Sequence, residues 1–197
     1  KSDSVETASY YSASSYYELS PVYSLDQKDT YTGLEKLQEF INNDYTAVTG
    51  ILTISNISAT NLMNFINLTS VGKSLIIEAN ENLTSLKGLD NLAILGKNDT
   101  TSLSYTYYKD PSLSNKLLII DNPKLLNLTG LGKLKNVVYI YLSSNDNMVS
   151  LDGFENINFS TDSPPNLSIY NNNSLTDISS LSNITKLDYL SIFLNYN

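Results

Sequence analysis

Between Leu167 and Leu187 the apolar residues keep two rhythms. Leu167 and Ile169 alternate with Ser168 and Tyr170, as a short strand with one buried face does. Asn172 follows, and then Leu175, Ile178, Leu181, Ile184 and Leu187 stand at every third position. The same template fits Leu75, Ile77, Asn80, Leu83, Leu86, Leu89, Leu92 and Leu95. It fits Leu117, Ile119, Asn122, Leu125, Leu128, Leu131, Leu134 and Val137. It fits again at Ile140, Leu142, Asn145, Met148, Leu151, Phe154 and Ile157. A looser first copy spans Leu52 to Val71, and Leu190, Ile192 and Asn195 begin a last one.

The strand positions begin at residues 52, 75, 117, 140, 167 and 190, so three gaps are 23 residues and the others are 42 and 27. The longer gaps are the same period with insertions of 19 and 4 residues. A fixed period of this length predicts a leucine-rich-repeat solenoid. The expectation is an α/β-class right-handed superhelix with one curved parallel sheet of about six short strands and an N-terminal capping helix. One turn cannot bury its own apolar residues, whereas stacked turns bury them against each other. Each buried aliphatic contributes roughly 1.5–3 kcal/mol.

Asn80, Asn122, Asn145 and Asn172 stand where the chain leaves each strand. Their amides can satisfy backbone groups exposed by the bend and can bond one another, which predicts a buried ladder rather than sugar contacts.

Outside the template, residues 1–31 are a Ser/Tyr-rich tether, and 32–197 form the repeat domain. The tether's six tyrosines, from Tyr10 to Tyr31, leave open whether it is mobile or packs along the solenoid edge. Thr32 and Glu35 form a capping-box pattern, and Leu34, Leu37, Phe40 and Ile41 share one helical face. A helical cap is therefore expected over 32–47. The insertion at 96–114 holds Tyr105, Tyr107, Tyr108 and Pro111, and a smaller one holds Pro164 and Pro165. Both fall just before a strand, so both should emerge on one edge, as loops framing a binding surface or as neutral additions.

Composition narrows the chemistry. The formal charge is −8, the 12 basic residues are all lysine, and there is no histidine, cysteine or tryptophan. A nucleic-acid binder needs a basic face, so that partner class is disfavoured. The longest aliphatic run is Leu117–Ile120, too short for a transmembrane helix. Nothing calls for a metal or another cofactor. The Asn-x-Ser/Thr triplets at Asn56, Asn67, Asn82, Asn98, Asn127, Asn158, Asn166, Asn172 and Asn183 are read as by-products of the repeat. The first residue is lysine, which suggests a processed start.

Function is then sought on the outward strand positions, which should form a concave face. Tyr139, Tyr141, Tyr170, Tyr189 and Phe193 make an aromatic set there, with Ile76, Leu118 and Ile120 beside it. Such a set suits a protein or glycan ligand. A second reading is a structural subunit that pairs through an open C-terminal edge as a homodimer. A glycan-active enzyme needs two facing carboxylates, and Glu78 is the only acid expected on that face. No enzymatic activity is expected.

The phrases IDNPKLLNLTGL, EANENLTSLKGLDNL and SSNDNMVSLDGFENI, preceded by LEKLQEFINNDYTAVTGILTIS, resemble the receptor-L-domain-like surface lipoproteins of Bacteroides-type bacteria. LTDISSLSNITKL is similar to an internalin repeat. Yeast cell-wall proteins with similar repeats are the rival source. The bacterial resemblance covers roughly residues 33–197. It implies an exported protein at the cell surface or outer membrane, held by an N-terminal lipid anchor, whose ligands are not defined by a shared motif.

Overall fold

The computed structural model describes residues 44–48, 50–96, 115–159 and 165–195. Each turn of the coil lays down a short strand and then a longer one. The pairs are β1 (Ala47–Val48) with β2 (Leu52–Ser55), and β3 (Ser70–Val71) with β4 (Leu75–Glu78). They continue as β5 (Ile94–Leu95) with β6 (Lys116–Ile120), and β7 (Lys135–Val137) with β8 (Tyr139–Ser143). β9 (Asn158–Phe159) precedes β10 (Asn166–Tyr170), and β11 (Tyr189–Phe193) comes last. The long strands form one six-stranded parallel sheet in chain order, and the short strands form a second, five-stranded parallel sheet.

The expected leucine-rich-repeat architecture is overturned. Among the described residues there is no α-helix, only the two short 3-10 segments Met63–Phe65 and Ser179–Asn183. The coil is an all-β solenoid, not an α/β superhelix, and it has two sheets where one was expected. The predicted cap over 32–47 lies outside the described residues as far as residue 43. Its end is not helical, since Ala47–Val48 is strand β1. The tether at 1–31 and residues 97–114 of the insertion also lie outside the described residues.

The long strands stack in the register that the template dictates. Leu52, Leu75, Leu117, Ile140, Leu167 and Leu190 lie side by side, as do Ile54, Ile77, Ile119, Leu142, Ile169 and Ile192. The 19-residue insertion does not disturb it, because β4 pairs directly with β6. The two ends of the insertion meet: Gly96 packs so closely on Asn115 that a Cβ there would overlap the amide.

The three-residue rhythm has a simple cause. Beyond each strand the chain makes successive tight turns, in which the N–H of one aliphatic donates to the carbonyl three residues back. Leu89 donates to Leu86, Leu92 to Leu89, Leu131 to Leu128, Leu134 to Leu131, and Phe154 to Leu151. Each such turn brings the next aliphatic inward. The result is one continuous hydrophobic core from Tyr45 to Leu175, with most of its leucines wholly buried.

Two backbone devices recur. After each long strand one residue takes positive φ: Asn56, Ala79, Asp121, Ser144, Asn171 and Leu194. The next residue is Ile57 in the first turn and the ladder asparagine in the others. Asn80, Asn122, Asn145 and Asn172 are wholly buried. Asn122 Nδ2 donates to Ile77 O at 3.0 Å and to Asn145 Oδ1 at 3.1 Å, and its N–H donates to the same Oδ1 at 3.2 Å. Equivalent bonds link Asn80 to Asn122 and Asn145 to Asn172, and Asn195 extends the ladder by one turn. The buried-ladder reading therefore holds, and the ladder amides bond backbone groups in the bends. The second device is Gly153, at φ +106°, where a Cβ would lie 2.2 Å from the carbonyl oxygen of Leu128 in the preceding turn. Only glycine admits that approach.

Candidate functional site

The outer face of the six-stranded sheet is fixed by parity. In β8, Ile140 and Leu142 point into the core, so Tyr139, Tyr141 and Ser143 point outward. The aligned register then puts three rows across the sheet. Lys116, Tyr139, Asn166 and Tyr189 form the first. Thr53, Ile76, Leu118, Tyr141, Ser168 and Ser191 form the middle one. Ser55, Glu78, Ile120, Ser143, Tyr170 and Phe193 form the third.

The face changes character along the coil. Toward the N-terminus, Ile51, Ile76 and Leu118 are buried in a second, smaller hydrophobic cluster, with Ile120, Tyr139 and Tyr141 packed against it. Ile76 and Leu118 thus serve as a base for the rings rather than as open surface, and Ile120 is half-buried. Pointing away from the main core is not the same as facing water. Toward the C-terminus the face opens: Tyr139, Tyr141 and Tyr170 are half-buried, while Tyr189 is 50% and Phe193 58% exposed.

The rings form a connected path. Tyr139 and Tyr141 stack with centroids 6.4 Å apart, Tyr141 and Tyr170 lie 5.7 Å apart, and Phe193 meets Tyr170 edge-on at 6.4 Å. These separations lie within the range of favourable aromatic pairing. The Lys116 ammonium sits 5.5 Å from the centre of the Tyr139 ring. The two outer tyrosines lean the same way, toward the small serine of the next turn. The Tyr170 hydroxyl donates to Ser191 Oγ at 2.7 Å, and the Tyr139 hydroxyl bonds the Ser168 side chain. Burial raises the Tyr139 pKa above the ordinary tyrosine value; the bond to Ser168 opposes this, and the neighbouring tyrosines add to it.

Charged groups are few in these rows, which hold Lys116 and Glu78. Asn166 lies in register between Tyr139 and Tyr189, and its Oδ1 is buried without a hydrogen-bond partner among the described residues. Glu78 stands three strands from Tyr170, with β6 and β8 between them. Asp152 and Asp177 are on exposed turns, away from the outer rows. The Asp177 carboxyl is held below its ordinary range by the Ser179 N–H and hydroxyl. Glu155 is likewise lowered by backbone N–H bonds, its own first and then that of Gly153, with Ser180 adding a side-chain bond. Among the described residues no group of three or more acids gathers as a metal site.

The sequence reading put Ser168 and Ser191 on the outward face but gave them no part in the site. Their signal was available: both stand at the middle outward position, one turn beyond a tyrosine, where a larger residue would block the ring's lean. Of the Asn-x-Ser/Thr triplets, those at Asn166 and Asn172 begin on buried asparagines.

Comparisons with protein-family models, with curated proteins and with solved structures gave no match. The resemblance to receptor-L-domain-like lipoproteins and internalin repeats is corrected accordingly, since no family model matches and the two-sheet coil, with no α-helix among the described residues, contradicts it.

Proposed function

We propose that this solenoid is a non-catalytic binding module that meets a protein or glycan ligand on the aromatic end of its outer face. The observation that carries the reading is the unbroken ring path from Tyr139 through Tyr141 and Tyr170 to the exposed Phe193. Solvated aromatic surface is costly to keep open and is well suited to contact with apolar side chains or sugar C–H faces. The rings are held by one another, by serine hydroxyls and by the Ile76–Leu118 base, so little side-chain freedom is lost on binding. The non-catalytic part of the proposal rests on residue types, because the chain has no histidine, cysteine or arginine to act as base, nucleophile or clamp. An exported, surface-facing location belongs to the same proposal, with the Ser/Tyr-rich N-terminal stretch as its support.

The test is a binding screen against a glycan array and a panel of extracellular matrix proteins, using the wild type and a Tyr141→Ala/Tyr170→Ala variant. The expected result is a ligand that the wild type holds and the variant loses, with both proteins keeping the same strand circular-dichroism spectrum. Full retention by the variant would overturn the assignment of this face.

A further inference from the structure

We propose that the ligand on this face is a neutral, linear glycan of β-linked pyranoses with equatorial hydroxyls, lying across the rings of Tyr139, Tyr141 and Tyr170. The inference rests on the binding-module reading above and names its ligand.

The first observation is how the rings lie. A strand side chain ordinarily stands upright from its sheet. Tyr170 does not: its hydroxyl donates to Ser191 Oγ at 2.7 Å, and Ser191 is a short side chain on the neighbouring strand. Tyr139 bonds Ser168 on its own neighbouring strand in the same way. A ring whose tip is held down one strand away leans over the sheet and turns a face outward. Tyr141 lies at 19° to Tyr139 and 32° to Tyr170, so the three faces look in a similar direction. All three rings stand on β8 and β10, with β6 and β11 on either side, and each is half-buried.

The second observation is spacing. Atoms of rings in contact lie about 3.5–4.0 Å apart. Centroids 6.4 and 5.7 Å apart at these angles therefore mean rings slid sideways, each leaving part of the next uncovered. The rings make a flight of apolar steps, each close to the length of one pyranose unit. A β-linked chain with equatorial hydroxyls is a flat ribbon. Its C–H groups face up and down, and its hydroxyls point sideways into water. It can rest sugar by sugar on such steps without burying a polar group.

The third observation sets aside the rivals. A polyproline helix presents the same side only every third residue, about 9.3 Å along its axis, which overshoots both steps. An extended peptide has alternate side chains about 6.7 Å apart, which fits. Such a peptide is held by pairing its backbone with a sheet edge. Tyr139, Tyr141 and Tyr170 stand on inner strands that already pair on both sides. The peptide would be ordered with no backbone bond to offset the lost entropy. An anionic ligand would meet one cation among the described residues of these rows, Lys116, whose ammonium is already held over Tyr139.

The experiment is isothermal titration of the 197-residue chain with hexamers of β-1,4-linked glucose, xylose and N-acetylglucosamine. Maltohexaose and decaproline serve as probes of the rival shapes. At least one β-linked hexamer should bind saturably and about tenfold or more tighter than maltohexaose, whose α-linkages curve the chain off a straight path. Decaproline should not bind. Tyr141→Ala/Tyr170→Ala should weaken the bound hexamer about tenfold or more while keeping the strand circular-dichroism spectrum. Tyr170→Phe, which keeps the ring and frees it from Ser191, should weaken it less. Failure of all three β-linked hexamers to bind would overturn the proposal. If decaproline or a matrix protein binds instead and is lost in the double variant, the glycan assignment falls and the face stands. A β-linked hexamer held equally by the double variant would overturn the face as well.

Discussion

Asn145 and Asn172 are joined twice: the Nδ2 and the backbone N–H of Asn145 both donate to Asn172 Oδ1, each at 3.1 Å. Asn145 in turn offers its own Oδ1 to the N–H and amide of Asn122 and donates to Ile119 O. Replacing it leaves several buried polar groups unpaired at once. Asn145→Leu should therefore lower the unfolding free energy by about 3 kcal/mol or more. Asn82→Ala, which removes only an exposed contact with Lys124, should cost about 0.5 kcal/mol or less. Urea unfolding of the two variants checks the contrast.

A second contrast is steric. Gly153→Ala should destabilise by about 2 kcal/mol or more, because its Cβ would strike the Leu128 carbonyl and its φ is positive. At Gly132 a Cβ would meet nothing within 4 Å, so Gly132→Ala should change stability by about 0.5 kcal/mol or less. Thermal melts of both variants, monitored by circular dichroism, give the comparison.

Removal of residues 97–114 should leave a folded solenoid. β4 and β6 already pair without them, and Gly96 and Asn115 touch. The deletion variant should keep a cooperative melt. A variant that fails to fold would show that the insertion belongs to the core.

Alkaline titration reports on the ring path. The raised pKa of Tyr139 means that its hydroxyl ionises later in the folded chain than in the unfolded one. Its contribution to stability is complete below the unfolded tyrosine value, near pH 10, and is lost as pH rises beyond it toward the folded value. Ultraviolet difference titration of wild type against Tyr139→Phe should show a late-ionising tyrosine missing in the variant.

These residues also show what could be read from the chain. The strand starts at Leu52, Leu75, Leu117, Ile140, Leu167 and Leu190 were legible, because inward aliphatics alternate with outward residues and recur at one period. The ladder was legible for the same reason. The second sheet was not, since strands as short as Ser70–Val71 and Ile94–Leu95 show no alternation, and their aliphatics merge into the three-residue rhythm. Without that sheet, the return side of the coil was assigned to the wrong fold class. The left-handed positions were hidden by unremarkable residues such as Ala79 and Leu194. At the candidate site, parity gave the outward direction of Ile76 and Leu118 but not their burial, which depends on what lies beside them. Gly88, Gly130 and Gly153 keep the repeat's spacing, but the reason for glycine there, close approach to the preceding turn, shows only in the coordinates.

The most direct measurement of the central claim is a hydroxyl-radical footprint of the protein with and without a ligand taken from the binding screen. Oxidation of Tyr141, Tyr170 and Phe193 should fall sharply on binding, while Met63, exposed on the 3-10 segment Met63–Phe65, should oxidise as before. Protection confined to the turns or to residues 97–114, with the rings unchanged, would contradict the account.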